Sequence, residues 1–294
     1  MTPAEISISH LPGPVDLLGE SPVWDPRDGC LYWVDSKGPS VKRYNSGTEE
    51  ITVWSVPLDI GSIALTSPGS LLLAMGDAFH RLDLATGAVE QIAAVGLPKE
   101  DMRLNDGRTD RQGRFLSGSM VVGRADRDAG LYRLGLDGKV EQLDEGIAIS
   151  NTICFSPAGD RLYYADSLQN KIFTYEYDPE TGAVGPREVF LETASLGSVP
   201  DGATVDAEGY LWVALVQRGQ VVRISPDAEV VQAIDFPVTY VSCPAFGGKD
   251  LDVLYVTSIS NSGHRLVSDH PQAGRVFVVN GLGVKGIEEA RYGE

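Results

Sequence analysis

Cysteine is scarce in this 294-residue chain: Cys30, Cys154 and Cys243 are the only three, an odd and widely spaced set. None forms a C-x-x-C pair, which excludes a disulfide framework and a cysteine-based zinc site and fits a reducing compartment. Histidine is nearly as rare. His10, His80, His264 and His270 are scattered and read as surface or packing residues rather than a metal cluster. Positive charge is also short, with 24 Lys and Arg against 41 Asp and Glu and a net charge of −17. Such a surface repels nucleic acid and anionic membranes, so neither is expected as a partner. No apolar run approaches the length of a membrane span. The N-terminal Met1–His10 stretch lacks the basic and apolar regions of a secretory signal. A cytoplasmic location is expected.

Two motif absences narrow the chemistry. No G-x-S-x-G occurs, which counts against the serine nucleophile of an α/β-hydrolase. Gly281-Leu-Gly-Val-Lys-Gly286 fits G-x-G-x-x-G, but only eight residues follow it, too few for a βαβ unit, so it reads as a turn. Amphipathic helical stretches of convincing length are missing as well.

What the chain has is turns and short strands, with 33 Gly, 17 Pro and 11 Tyr. Two phrases alternate along it. A turn followed by a dense apolar strand recurs around Leu31, Leu71, Phe115, Leu162, Leu211 and Leu254, at separations of 40, 44, 47, 49 and 43 residues. Between these stand period-two strands running into polar turns, such as Ser40–Gly47, Gly130–Gly138 and Gly274–Gly281. A period of 40 to 50 residues with about four strands per unit predicts an all-β fold, a six-bladed β-propeller. The even spacing disfavours an open sandwich with irregular insertions. With no linker or low-complexity segment, residues 1–294 read as one domain. The N-terminal Ile6-Ser-Ile strand is expected to close the last blade near Arg275–Val278.

In a propeller the innermost strand of each blade enters at the mouth of the central channel. Counting back ten or eleven residues from each anchor gives Glu20, Ile60/Gly61, Asn105, Asn151, Asp201 and Cys243. Any one of the Asn, Asp and Gly residues is commonly a turn former. Four oxygen-bearing side chains at one mouth would instead form a costly desolvated cluster unless a cation or ligand occupied it. Oxygen donors with two carboxylates suit a hard divalent cation such as Ca²⁺, Mg²⁺ or Mn²⁺, with Zn²⁺ or Fe²⁺ less favoured.

The phrases Leu18-Gly-Glu20-Ser-Pro-Val-Trp-Asp25, Arg103-Leu-Asn105-Asp-Gly107, Ile149-Ser-Asn151, Pro200-Asp201-Gly202, Phe246-Gly-Gly248 and Gly281–Ile287 resemble, in order and nearly end to end, the regucalcin/gluconolactonase family. The resemblance implies a six-bladed propeller with one divalent metal at the axial mouth, calcium being preferred. By motif it implies that Glu20, Asn151 and Asp201 are metal ligands, and that Arg103 and Asn105 hold a sugar lactone. Asp106 is added to the substrate set, although an Asp-Gly turn explains it equally. Animal regucalcins carry an acidic residue a few positions after their Gly-Thr-Met segment. Here Gly118-Ser-Met120-Val-Val-Gly123 has none, which leaves the preferred lactone open.

The expected function is a metal-dependent lactonase acting on an aldonolactone of the gluconolactone, xylonolactone or arabinolactone type, as a monomer. Asp201 would also accept the proton of the attacking water. The alternatives are a metal-dependent esterase or phosphotriesterase, and a calcium-binding protein without catalysis. The loops Val121–Ala129 and Asn261–Ala273 are taken as ordinary exposed loops that could rim the mouth.

Overall fold

The computed structural model describes residues 5–294; Met1–Ala4, the start of the stretch inspected for a signal, lie outside the described residues. Twenty-four strands form six four-stranded antiparallel sheets. Blade 1 is typical: Gly19–Asp25 lies innermost, then Cys30–Asp35, Ser40–Asn45 and Ile51–Ser55 outward. The six innermost strands are Gly19–Asp25, Ile60–Leu65, Met102–Thr109, Ser150–Phe155, Pro200–Val205 and Val241–Gly247. The anchors Leu31, Leu71, Phe115, Leu162, Leu211 and Leu254 each fall on the second strand of a blade and are buried. Apart from two short 3-10 turns, Ser167–Gln169 and Thr193–Leu196, the described residues contain no helix. Among the described residues no helix is long and apolar enough to cross a membrane.

A sheet of four strands has two faces to cover, and each blade covers them with its neighbours. Six hydrophobic clusters lie one at each blade–blade interface. Between blades 1 and 2, for example, Val23, Tyr32 and Val34 meet Ile63, Leu71 and Leu73. The last interface closes the ring. Trp24 and Leu31 of blade 1 pack with Tyr255 of blade 6, the two aromatic rings stacked 5.8 Å apart. The N-terminal strand closes blade 6 as anticipated, one residue further on, with Ser7–His10 paired antiparallel to Phe277–Asn280.

The blade-interface residues explain the burial gradient. Every residue of Ile60–Leu65 is buried, whereas the outermost strand of the same blade, Val89–Ala94, is mostly exposed. Side chains at the centre therefore leave water completely, and any polar group there needs a partner or a ligand.

The C-terminal tail crosses the far end of the channel. Lys285 accepts from the Ala207 amide, Glu289 binds Arg108, Arg291 pairs with Asp25 and donates to Thr66 O, and the Tyr292 amide donates to Leu65 O at 2.8 Å. Most of these partners stand at or beyond the C-terminal ends of inner strands. The candidate site residues stand at the N-terminal ends, so the tail seals the end opposite the mouth.

Candidate active site

Each inner strand breaks register at the same level. The ladder slips between Glu20 and Val23, Ile60 and Ser62, Leu104 and Gly107, Asn151 and Cys154, Pro200 and Ala203, and Val241 and Pro244. A β-bulge turns a side chain out of the alternating pattern, and here six of them form a ring near the mouth. Two carry left-handed backbone, Ser21 at φ 49° and Thr152 at φ 61°, a strained conformation found at functional sites.

Glu20, Arg103, Asn105, Asn151 and Asp201 line one cavity of about 240 Å³ at that mouth. A directed chain of hydrogen bonds orients them. Arg103 Nη1 donates to Asn105 Oδ1 at 2.9 Å. Asn105 Nδ2 donates to Ser150 O at 2.8 Å and to Asn151 Oδ1 at 3.0 Å. Asn151 Nδ2 donates to Ser167 Oγ at 2.8 Å, and Ser167 Oγ donates to Pro200 O at 2.7 Å. The direction is fixed at both ends, because a guanidinium only donates and a carbonyl only accepts. Both amide orientations follow, and Asn151 offers its oxygen, not its nitrogen, to the ring.

The two carboxylates are poorly compensated. Neither Glu20 nor Asp201 has a salt-bridge partner among the described residues, and Glu20 accepts only a long bond from the Ser21 amide at 3.4 Å. Burial, and then the repulsion of Asp201 and Asp106, push the Glu20 carboxyl well above its ordinary range. Burial, and then Asp106, do the same to Asp201. Arg103 is held below the usual guanidinium value by burial. Its Nε is buried without a hydrogen-bond partner.

A donor set of two carboxylates and one oriented amide oxygen fits a hard divalent cation. Its charge would remove the repulsion between the carboxylates. Among the described residues no three His, Cys, Asp or Glu side chains converge, so a softer or all-carboxylate centre has no counterpart here.

Comparison with known proteins matches residues 18–260 to a family model described as the SMP-30/Gluconolactonase/LRE-like region. The chain belongs to that family. Regucalcin of Xenopus laevis is 37% identical over 279 residues, covering 92% of this chain and 93% of its own. YvrE of Bacillus subtilis, named as a candidate sugar lactone lactonase, is 32% identical over 89% of this chain and 90% of its own. The crystal structure of a calcium-binding protein, regucalcin, from Agrobacterium tumefaciens superposes with a TM-score of 0.90 at 30% identity, covering 96% of each chain.

Not every expected site residue reaches the cavity of this SMP-30/gluconolactonase-family chain. Asp106, expected to touch substrate, lies below the floor and is buried at 5% exposure. Its oxygens accept from the Gly107 amide at 2.8 Å and the Ile153 amide at 2.9 Å. These bonds brace the bulge inside a strand, so Asp106 is no plain turn residue, and it is not among the residues that line the cavity. Burial raises it to about 6, against the lowering pull of Arg108 and the amides.

The two loops taken as ordinary do line the cavity, through residues 121–125 and 262–266. They meet where a Cβ on Gly123 would lie 3.6 Å from the His264 ring. His264, expected to be a plain surface or packing residue, is exposed and faces the cavity. Two of the basic residues on this rim are paired, Lys37 with Asp59 and Arg124 with Asp101 and Asp126.

Ser167 was missed by sequence reasoning, since nothing near it resembles a site motif. Gly61 carried a signal that went unread. A Cβ there would lie 2.6 Å from the Cα of Asn105, so this ring position holds no side chain because the Asn105 backbone fills its place.

Proposed function

We propose that this protein is a metal-dependent lactonase that opens an aldonolactone to its hydroxy acid, with Glu20, Asn151 and Asp201 as the ligands of one divalent cation, preferably Ca²⁺. The observation that carries this reading is the pair of buried, uncompensated carboxylates beside an amide oxygen whose orientation is fixed from outside the ring. When bound, the cation supplies polarisation of the lactone carbonyl and acidification of a water molecule.

The residues of the chain do the rest. Arg103 and Asn105 both line the cavity, and together they would orient the lactone ring, the positioning contribution to catalysis. The Asp201 oxygen left free by the cation would accept the proton of the attacking water. Asp106 fixes the bulge that carries Asn105 through its bonds to Gly107 and Ile153. The small cavity suits a single sugar ring as partner, and nothing in the site requires a second chain.

Arg103 favours catalysis over cation storage, because a structural ion would not need a guanidinium lining the same cavity. The test is acid release from freshly dissolved lactones, measured in weak buffer on chelator-stripped protein refilled with single metals. Activity restored by a divalent cation and lost in Asp201→Asn supports the reading. Hydrolysis that is indifferent to metal contradicts it.

A further inference from the structure

Six hydrophobic clusters join blade to blade, but a seventh does not. Leu18, Val216 and Ile259, with Val199 and Leu266 packed against them, sit at the mouth, and all five line the cavity. Leu18 and Val199 come from the segments entering blades 1 and 5, Val216 from the turn after the second strand of blade 5, and Ile259 and Leu266 from the loop after the second strand of blade 6, with Leu18 bridging directly to Ile259. Val216 and Ile259 are buried at 3% and 1% exposure. On the same arc of the mouth the polar residues Gln217, His264 and Arg265 are exposed, and Ser262 is only partly buried. The deep surface there is aliphatic and the hydrogen-bonding groups stand outside it. Among the described residues no Phe, Tyr or Trp side chain lines the cavity.

A polyol lactone carries hydroxyl groups around its whole edge. Those turned toward Arg103 and Asn105 find partners, whereas a hydroxyl pressed against Val216 and Ile259 loses water and gains none. We propose that the Leu18–Val216–Ile259 wall selects lactones with an apolar substituent opposite the hydroxyl-bearing edge, as in a 6-deoxyhexonolactone whose terminal carbon is a methyl group. This rests on the lactonase reading of the site and names its substrate class. Val199 and Leu266 are the specificity-determining residues that can be altered with least damage, because both are only partly buried.

The experiment compares kcat/KM for matched pairs, a 6-deoxyhexonolactone and the hexonolactone of the same configuration, over several configurations with metal-loaded protein. The deoxy member of the preferred pair is expected to be favoured about ten-fold, the range that one misplaced hydroxyl commands in an apolar pocket. Leu266→Gln and the near-isosteric Val199→Thr should each bring that ratio toward unity, with thermal melting confirming that both fold. Hexonolactones equal to or better than their deoxy partners in every pair would overturn the inference while leaving the lactonase reading intact. A ratio unmoved by both substitutions would overturn the assignment to this wall. Failure to open any lactone would defeat the reading of the site and this inference with it.

Discussion

Asn105 donates to Asn151 across the gap between blades 3 and 4, Nδ2 to Oδ1 at 3.0 Å, joining the residue proposed to hold substrate to one proposed to hold the metal. The bond orients the amide of Asn151 without consuming its oxygen, which keeps a second lone pair. Asn105→Ala should therefore weaken metal binding as well as activity, each by about 10- to 100-fold, the usual effect of removing a partner that orients a ligand. Calorimetric metal titration separates this from a purely substrate-directed role, which would leave metal affinity untouched.

Gly61 leads to a related expectation from packing alone. Gly61→Ala would push against the Cα of Asn105 and displace it, since backbone cannot yield as a flexible side chain does. Activity should fall by about ten-fold or more at a stability cost of roughly 1–3 kcal/mol, read from kcat/KM and urea melts. Full activity in that variant would show that the position of Asn105 is not critical.

Stability should depend on pH in a metal-sensitive way. Glu20, Asp201 and Asp106 all sit above their ordinary values when folded, Asp106 at about 6. The native state then binds more protons than the unfolded chain from about pH 4 upward. These groups favour folding below the unfolded value, and that contribution is lost as pH rises through the folded values. Metal-free protein should lose roughly 1–3 kcal/mol of stability between pH 5 and 7 relative to metal-loaded protein, which holds its ligands deprotonated. Urea denaturation in chelator and in excess divalent cation measures the difference. Parallel pH profiles would contradict it.

The far end of the channel makes a prediction independent of catalysis. Arg108 is buried, donates to Ala203 O at 2.5 Å, and pairs with Glu289 at 3.0 Å. Glu289→Gln leaves that guanidinium without its carboxylate, which should cost about 3 kcal/mol and lower Tm by roughly 6–12 °C. Glu288→Gln, whose neighbour makes the contact, serves as the control in the same melting experiment.

Much of this architecture was legible in the chain because propeller blades are local. Five of the six four-stranded units, and three strands of the sixth, are built from consecutive residues, so the anchors from Leu31 to Leu254 and the entries ten or eleven residues before them fell into register. Ring positions inherit that regularity, which is why Glu20, Asn105, Asn151 and Asp201 could be picked out from spacing. Contacts between blades have no such signature. Glu289 reaches Arg108 across 181 residues, a pairing that only the assembled ring creates, while Ser167 supports Asn151 inside blade 4 from a turn that resembles no site motif. That Asp106 does not line the cavity was not legible, because alternation along a strand gives the side of a residue only until a bulge changes it.

The central claim is that Glu20, Asn151 and Asp201 grip one divalent cation. Calorimetric titration of chelator-stripped protein with Ca²⁺ and Mn²⁺, run beside Glu20→Gln and Asp201→Asn, tests it most directly. The account predicts one ion bound per chain, with affinity reduced at least about 100-fold in each variant. Unchanged binding in both variants, or no binding by the parent protein, would contradict it.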